Sequence, residues 1–252
     1  PLMINDPESG IANVRTSSWF TEDRMLNRLQ VAKQLDAKFA QTYNVKNVRA
    51  YSDMYDDAMA MMKSEDLKAF DLTEEASDIR AAYGKEAFGQ GCLLARRLVE
   101  RGVRFVEVSL GGWDTHNANF VAVPERCETL DKGLSALLND LNLRGMLQDT
   151  LVVVTTEFGR TPDINQNVGR DHYPKAFSAV MFGGGVKKGH LYGETADERP
   201  LIATKNPVSV MDLHATIMTA MGISPKTEFE IEGRPFYVTE DGKGKPVTDV
   251  FA

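Results

Sequence analysis

A helical period near the middle of the chain is the clearest hydrophobic pattern in the sequence. Apolar residues recur there every three or four positions, as expected for one face of a helix. They are Phe88, Cys92, Ala95 and Val99. Gly102 follows this stripe, and glycine commonly ends a helix because it adopts the left-handed backbone without strain. We therefore predict a helix between about Tyr83 and Gly102.

Two runs of β-branched and apolar residues flank a further helical stretch. "VRFVEVSL" (103–110) and "LVVVTT" (151–156) are each typical of a buried strand, and residues 122–144 between them have helical spacing. The order strand, helix, strand predicts a βαβ unit with parallel neighbouring strands and a right-handed crossover. The predicted fold class is therefore α/β, a three-layer sandwich with a mostly parallel sheet.

The segment after the second predicted strand is rich in Gly, Pro and Asn, which favours a long loop over a crossover helix. "AFSAVMFGGG" (176–185) then has the composition of a third strand. If that strand runs antiparallel to the second, it begins at the sheet edge where the second strand ends. A last helix is predicted to begin at Ser209 and to end at Gly222, and residues 223–252 favour short strands.

The first third of the chain has a different character from the rest. Thr21 is a suitable N-cap for a helix that continues to about Tyr43, and residues 46–81 are interpreted as two shorter helices. We predict that residues 1–82 form an N-terminal segment and helical arm packed on a main domain of residues 83–252.

Charge and composition exclude several classes of protein. The net charge is −7 and Lys and Arg are not clustered, which argues against nucleic acid as a partner. No apolar run approaches the roughly 18 residues that a membrane span requires. Cys92 and Cys127 lack the spacing of a zinc motif and are interpreted as small core residues. The sequence opens on "PLMINDPESG", without a visible targeting signal, and we expect the natural N-terminus to lie upstream.

Three polar clusters are predicted to meet at one sheet edge, because ligands of open α/β sheets gather outside the carboxyl ends of the strands. Three pairs of Asp and His stand close in sequence, and Glu157 follows a predicted strand. The pairs are Asp114 with His116, Asp171 with His172, and Asp212 with His214. Carboxylate and imidazole together suit zinc, manganese or iron. Cationic side chains that can hold an oxyanion lie nearby, namely Arg160, Arg170 and Lys175.

Each pair also has a structural explanation. Asp114 and His116 suit an Asx turn beside a solvated imidazole, since two glycines and Trp113 precede them. His214 shares a helix face with apolar residues and is equally well explained as a core histidine, while Asp212 can serve as a cap only. Asp171 and His172 have the weakest structural explanation, because a loop has little need of "RDHYP". We rank that pair above "GGWDTH" as the functional centre.

Three ordered motifs carry a resemblance to a known family. The sequence resembles the bacterial family called domain of unknown function 1501, which is itself similar to the sulfatase and alkaline phosphatase superfamily. The motifs are "FGQGCLLARRLVERGVRFVEVSLGGWDTH", "TTEFGRTPDINQNVGRDHYPKAFSAVMFGGGVKKGHLYGET" and "VMDLHATIMTAMGI". The resemblance implies an alkaline-phosphatase-like main domain and a twin-arginine export signal, hence a periplasmic or exported protein. It also implies that this chain is the carboxyl-terminal portion of a longer protein.

In the superfamily, a Ser, Thr or modified Cys from the N-terminal half attacks the ester beside a divalent metal cluster. The resemblance sets Glu157 against a metal-binding Asp of that superfamily and Phe158 where a metal-binding His stands. This departure counts against a complete two-zinc site. No Ser, Thr or Cys here has an activated setting, so the missing N-terminal half is the expected source of the nucleophile.

The leading hypothesis is a sulfatase-like or phosphatase-like hydrolase acting on a small anionic ester. The predicted catalytic residues are His172, Asp171, Arg160 and Arg170. The predicted ligands of a divalent ion (Zn, Mn, Ca or Mg) are Asp114, His116, Glu157, Asp171, His172 and His214. The alternatives are a non-catalytic envelope or binding protein, which Phe158 favours, and a metal-free isomerase or mutase. A homo-oligomer is compatible with all three, and the sequence leaves open whether the chain is an enzyme.

Overall fold

The computed structural model describes residues 2–11, 14, 21–43 and 45–252. The predicted N-terminal segment 1–82 therefore includes positions outside the described residues. The chain divides into two compact units, residues 1–109 and 110–252. The domain boundary predicted at 82/83 lies inside the first unit, at the end of a short helix. None of the helices within the described ranges combines the length and apolar character needed to cross a membrane.

Helices form most of the first unit and occur at the positions that the hydrophobic pattern predicts. The α-helices among the described residues are α1 (Glu22–Thr42), α2 (Lys46–Met62), α3 (Ser77–Tyr83), α4 (Ala87–Glu100), α5 (Asn119–Leu143) and α6 (Val210–Ala220). Short 3₁₀ helices span Glu65–Phe70, Leu72–Glu74, Glu240–Gly242 and Thr248–Val250. Thr21 caps α1 by accepting a hydrogen bond from the amide of Arg24, as its sequence position predicts.

Helix α4 is the centre of the core of the first unit. Its residues Cys92, Leu93 and Leu94 are buried, together with Leu72 and Tyr83 from the preceding segment. A Cβ atom at Gly89 would lie 1.9 Å from the carbonyl oxygen of Tyr83, so only glycine permits this approach of α4 to the end of α3. Burial raises the pKa of the Cys92 thiol to about 12. The predicted helix and the core assignment of Cys92 are confirmed, whereas Cys127 is exposed.

Two arginines of α4 are buried in this core and are paired there. The guanidinium of Arg97 donates to the carbonyl oxygens of Ala69 (2.8 Å) and Lys68 (2.6 Å) and to Oε1 of Glu75 (2.5 Å). Arg96, whose side chain is 1% exposed, lies 2.9 Å from the same Glu75 oxygen. Burial alone would raise the pKa of Glu75, but hydrogen bonds from Arg96 and Arg97 outweigh burial and lower it. We call Glu75, Arg96 and Arg97 the buried ion cluster.

The predicted parallel sandwich is wrong. Residues 103–110 form no strand, and Val103 and Phe105 lie exposed. All named strand pairs within the described residues are antiparallel and two-stranded, so the expected βαβ unit is absent. The apolar run instead contributes contacts through alternate side chains, since Val108 packs against the position of Gly91 on α4. An apolar run indicates burial but does not specify a hydrogen-bonding partner, and here no strand pairs with it.

The strands of the second unit are short. They are β1 (Leu151–Val154), β2 (Gly159–Arg160), β3 (His172–Tyr173), β4 (Val180–Gly183), β5 (Glu194–Thr195), β6 (Ala203–Lys205), β7 (Glu228–Ile231) and β8 (Arg234–Tyr237). β1 pairs with β4 in antiparallel register, Leu151 opposite Gly183 and Val154 opposite Val180. The third predicted strand therefore runs antiparallel to the second. The long loop between β1 and β4 consequently begins and ends at the same edge of this sheet.

The last helix follows its sequence signals closely. The Ser209 hydroxyl accepts a hydrogen bond from the amide of Asp212, and Gly222 after the helix has φ +74°. The carboxylate of Asp212 accepts from the amide of Lys245 (2.7 Å), and this hydrogen bond, the largest contribution, lowers the pKa of Asp212. Asp212 thus connects the C-terminal segment to α6 through a side-chain-to-backbone hydrogen bond. The predicted short strands after residue 223 are confirmed as the hairpin of β7 and β8.

Candidate metal centre

Two loops of the second unit carry all the predicted site residues except His214, which lies on α6. The first runs from 110 to 118, directly before α5, and the second from 155 to 179, between β1 and β4. Within the second loop β2 pairs with β3, which sets Arg160 opposite His172 and Gly159 opposite Tyr173. Cross-strand partners lie side by side on one face of a sheet. Arg160 and His172 are therefore held together by backbone pairing.

Backbone hydrogen bonds fasten the second loop to the first. Amides of one loop donate to carbonyl oxygens of the other at three points. These are Arg170 to Thr115 (3.0 Å), Ala118 to Asn167 (3.2 Å) and Asn119 to Val168 (3.0 Å). We call residues 115–119 and 165–170 the clasp.

The clasp is close-packed and locally strained. Val168 has φ +57° and Ala118 has φ +48°, a conformation that is costly for a residue with a Cβ atom and most of all for a β-branched one. Gly169 is buried, and a Cβ atom there would lie 2.0 Å from the carbonyl oxygen of His116. Only glycine fits at that position. The backbone path beside His116 is therefore fixed by the surrounding contacts.

Asn165 connects the clasp to the polar cluster. Its side-chain Nδ2 donates to the carbonyl oxygen of His116 (3.0 Å) and to Oδ1 of Asp171 (2.9 Å). Its Oδ1 accepts from the amides of Asn167 (2.9 Å) and Gly169 (3.0 Å). The half-buried Asn165 thus uses both ends of its amide.

Asp114 is the centre of the polar cluster. Its Oδ1 lies 2.8 Å from Nδ1 of His116 and 3.3 Å from Nε2 of His172. The same oxygen accepts a hydrogen bond of 2.8 Å from Arg160. The Arg160 hydrogen bond, and next the His172 contact, lower the pKa of Asp114. The Asp114 carboxylate contacts side chains of the second loop. It therefore links the two loops and does not merely stabilise a local turn.

Asp114, His116 and His172 have the donors and the spacing of a metal site. Each offers one ligand atom, and these atoms lie within 4.8 Å of one another. One carboxylate and two imidazoles suit a zinc-like ion. Zinc bound at about 2.0–2.2 Å by each ligand sets neighbouring ligand atoms roughly 3.3–3.6 Å apart, so small side-chain shifts are sufficient. The three residues therefore fit a divalent transition metal.

Asp171 lies beside this triad. Its Oδ1 is 3.9 Å from Nε2 of His116, on the opposite edge of the imidazole from Asp114. The backbone of Asp171 is held by Thr161, whose amide donates to its carbonyl oxygen and whose hydroxyl accepts from its amide. Asp171 faces His116 from outside the triad.

The other predicted site residues separate into two groups. Arg160 belongs to the cluster, since it binds Asp114 and also donates to the carbonyl oxygen of Arg170 (3.2 Å). Arg170 instead donates to the carbonyl oxygens of Thr161 and Pro162 (both 2.6 Å), which stabilises the loop. Glu157 and His214 are exposed and do not belong to the metal-ligating group found within the described ranges. The exposure of His214 also rules out the core-histidine explanation.

Aromatic packing orients the two imidazoles. The ring centroids of His116 and His172 are 4.7 Å apart, and those of Phe158 and His172 are 4.4 Å apart. Phe158 thus contacts the cluster as an apolar neighbour of His172. The resemblance compared it with a ligand, but its side chain has no ligand atom.

Sequence reasoning missed the residues that hold the site in place. Asn165 and Gly169 belong to "NQNVG", which was interpreted only as loop composition. Thr115, whose hydroxyl donates to Asn119 (2.7 Å), is buried together with that residue. Asn residues two apart before a glycine are a usable turn signal. The partner of that turn, His116, lies too far along the chain for a local signal to reveal.

Comparison with known proteins gives one positive result. No curated protein and no solved structure gives a significant match. The model of the family described as "Protein of unknown function (DUF1501)" matches residues 1–251. Because this match covers nearly the whole chain, including both loops of the site, the chain belongs to the DUF1501 family.

Proposed function

We propose that the chain binds a divalent transition-metal ion through Asp114, His116 and His172, and that this site hydrolyses a phosphate or sulfate ester. The observation that carries the proposal is the convergence of one carboxylate and two imidazoles, from two loops, within 4.8 Å. Zinc fits the donor set best, because imidazole nitrogen and carboxylate oxygen are its usual protein ligands besides thiolate.

Three protein ligands suit catalysis better than a closed structural site. Catalytic zinc sites commonly have three protein ligands and leave a fourth position for water or substrate. A zinc ion so held would supply Lewis acidity and activate water for attack. The side chain of Asp114 is 71% exposed and that of His172 is 50% exposed, so a small ester can approach from solvent.

Arg160 is the proposed anion-binding residue. Its guanidinium is 2.8 Å from Asp114 and therefore lies beside the proposed ligands. Planar guanidinium groups bind phosphate and sulfate oxygens in a forked geometry. The chain as a whole is acidic, so an anionic substrate needs such a local cation.

The three motifs resemble the DUF1501 family, and the similarity of that family to the sulfatase and alkaline phosphatase superfamily supports the ester class. The family resemblance also supports an exported, periplasmic location. The same similarity supports a nucleophile supplied by a preceding segment. Binding of the metal and turnover are therefore separate parts of the proposal. Activity is best assayed both with this chain and with the longest natural form of the protein.

Zinc titration by calorimetry tests the metal site. We expect one zinc ion per chain, with binding abolished by His116→Ala and by His172→Ala. His190→Ala is the matched control, because His190 is exposed and lies outside the ligand group. Equal loss in the control, or no binding by the native chain, contradicts the proposal.

Hydrolysis of an aryl phosphate and an aryl sulfate tests the reaction. With the longest natural form of the protein, we expect zinc-dependent turnover that Arg160→Met reduces at least tenfold while zinc stoichiometry stays at one. The sequence ranking placed His172 above His116, and the two alanine variants compare them directly. Loss of zinc only in His116→Ala reverses that ranking.

A non-catalytic binding protein is the second candidate. Phe158 favours it, because an apolar ring packs against His172 at the position that the resemblance assigns to a ligand. In that case zinc binds without turnover in any natural form of the protein.

A further inference from the structure

We infer that Asn165 is a positioning residue that holds Asp171 against His116, so that His116 binds metal through Nδ1 and His172 through Nε2. This inference rests on the proposed metal site and deepens it. It concerns a residue outside the ligand triad and assigns the ligand atom of each imidazole.

The orientation of the His116 ring supports the assignment. Nδ1 is 2.8 Å from Oδ1 of Asp114, inside the triad, whereas Nε2 is 3.9 Å from Oδ1 of Asp171, outside it. His172 turns its Nε2 toward the same Asp114 oxygen, at 3.3 Å. The two imidazoles therefore present different nitrogens to the triad.

A carboxylate behind a metal-ligating imidazole has a defined effect. Such an imidazole usually donates its other N–H to a carboxylate or carbonyl group, which fixes the tautomer and raises ligand basicity. For His116 that partner is Asp171, and a shift of about 1 Å brings its separation from Nε2 to hydrogen-bond distance. A proton on Nε2 leaves the lone pair of Nδ1 for the ion.

Asn165 determines where Asp171 stands. Its Nδ2 donates to Asp171 and to the carbonyl oxygen of His116, so a single amide group fixes the carboxylate relative to the imidazole. The other end of the side chain accepts from the amides of Asn167 and Gly169 and shapes the turn. Positioning and turn formation thus use different atoms of Asn165.

This division allows a variant that separates the two roles. Asn165→Asp keeps Oδ1 for the turn and loses the Nδ2 donor. Asn167→Asp adds the same charge two positions away, at an exposed residue whose backbone joins the clasp. Asp171→Asn removes the carboxylate charge and keeps the volume. Thermal unfolding of the metal-free proteins reports whether the loop survives each change.

Zinc affinity and imidazole ¹⁵N shifts are the readouts. In the native chain we expect zinc-bound His116 to have a protonated Nε2 and a metal-bound Nδ1, and His172 to have the opposite pattern. We expect Asn165→Asp and Asp171→Asn to weaken zinc binding 10- to 100-fold, the usual effect of changing such a partner. Asn167→Asp is expected to bind like the native chain.

The outcomes separate the inference from the proposed function. If the native chain binds zinc and Asn165→Asp binds it equally well, or if both imidazoles bind through Nε2, the inference is overturned and the metal site stands. If Asn165→Asp weakens binding no more than Asn167→Asp does, the effect is one of charge and the inference is overturned. If the native chain binds no zinc, both fail.

Discussion

Two charged clusters of this chain, one in each unit, differ in their exposure to solvent. In the buried ion cluster, Arg96, Arg97 and Glu75 are almost fully removed from water and are paired with one another and with backbone carbonyl groups. In the metal-ligating cluster, Asp114 is largely exposed and gathers two imidazoles and an arginine around one oxygen. Buried charges are retained only where they are paired, because an unpaired one is very costly.

The difference shows which cluster serves the fold and which is available for chemistry. Removing any member of the buried ion cluster takes away one ion-pair partner of a charge that is buried in the core. The exposed cluster also links its two loops, through the hydrogen bond from Arg160 to Asp114, but the backbone bonds of the clasp join the same loops independently. The side chains of the exposed cluster are therefore available to bind a ligand.

Loss of Arg97 is expected to have the largest effect on stability. Arg97→Met keeps the volume but removes one of the two guanidinium partners of Glu75 and the donor of two carbonyl oxygens. We expect the free energy of unfolding to fall by about 3–5 kcal/mol, as when other buried ion pairs are broken. Urea unfolding followed by circular dichroism measures it.

Arg101→Met is the matched control, because Arg101 is more exposed and lies 3.7 Å from Asp66. Its expected effect is within about 0.5 kcal/mol. Similar losses in the two variants contradict a structural role specific to the buried ion cluster.

A methyl group at Gly169 is expected to have the next largest effect, at the clasp. Gly169→Ala sets a Cβ atom 2.0 Å from the carbonyl oxygen of His116, so the backbone must move. We expect a loss of about 1–3 kcal/mol and a zinc affinity at least tenfold weaker. In Gly111→Ala the new methyl group meets no atom within 4 Å, so neither quantity changes. Native zinc affinity in Gly169→Ala contradicts the role of the clasp.

Acidification is expected to reduce the free energy of unfolding by a smaller amount, through protonation of Glu75. Its pKa in the folded chain lies below the ordinary value of 4.5. Its charge therefore stabilises the fold above that value, and the contribution is lost as the pH falls through the folded-state pKa. We expect Glu75→Gln to be less stable at pH 7 and to lose less stability than the native chain below about pH 4.5.

Exposed Glu125 on α5 provides the control for this titration. Glu125→Gln is expected to follow the native stability profile between pH 7 and pH 3. Parallel profiles for the native chain and Glu75→Gln would remove Glu75 from the explanation of acid sensitivity.

Loss of the Asp114 charge is expected to have the smallest effect on folding. Because this carboxylate is exposed, Asp114→Asn is expected to leave the melting temperature of the metal-free chain unchanged within error. Zinc binding is expected to be lost in the same variant. A marked fall in melting temperature means that the cluster is structural after all, and the contrast with the buried ion cluster disappears.

The sequence predicted local structure well and sheet topology badly. Helices α1, α4, α5 and α6 were predicted because hydrophobic spacing and caps such as Ser209 are local signals. The strand predicted at 103–110 was wrong, since pairing depends on a partner elsewhere in the chain. The antiparallel pairing of β1 with β4 was considered as one possibility, but the sequence did not predict it outright.

The convergence of the candidate site residues was predicted only in part. Asp114, His116 and His172 are brought together, as the sequence predicted, and Arg160 joins them. Arg170 instead stabilises the loop through carbonyl groups that no sequence pattern identifies. The ligand roles of all six predicted residues, including Glu157, Asp171 and His214, stay predictions.

The missing Cβ atom of Gly169 has a consequence for comparing natural sequences. A relative with any other residue at this position cannot route its loop past the carbonyl group of His116 in the same way. Such a relative is expected to lack the site even where both histidines are present. Glycine before Arg170-Asp171-His172 is thus a steric marker for sorting DUF1501 sequences into those that can assemble the site and those that cannot.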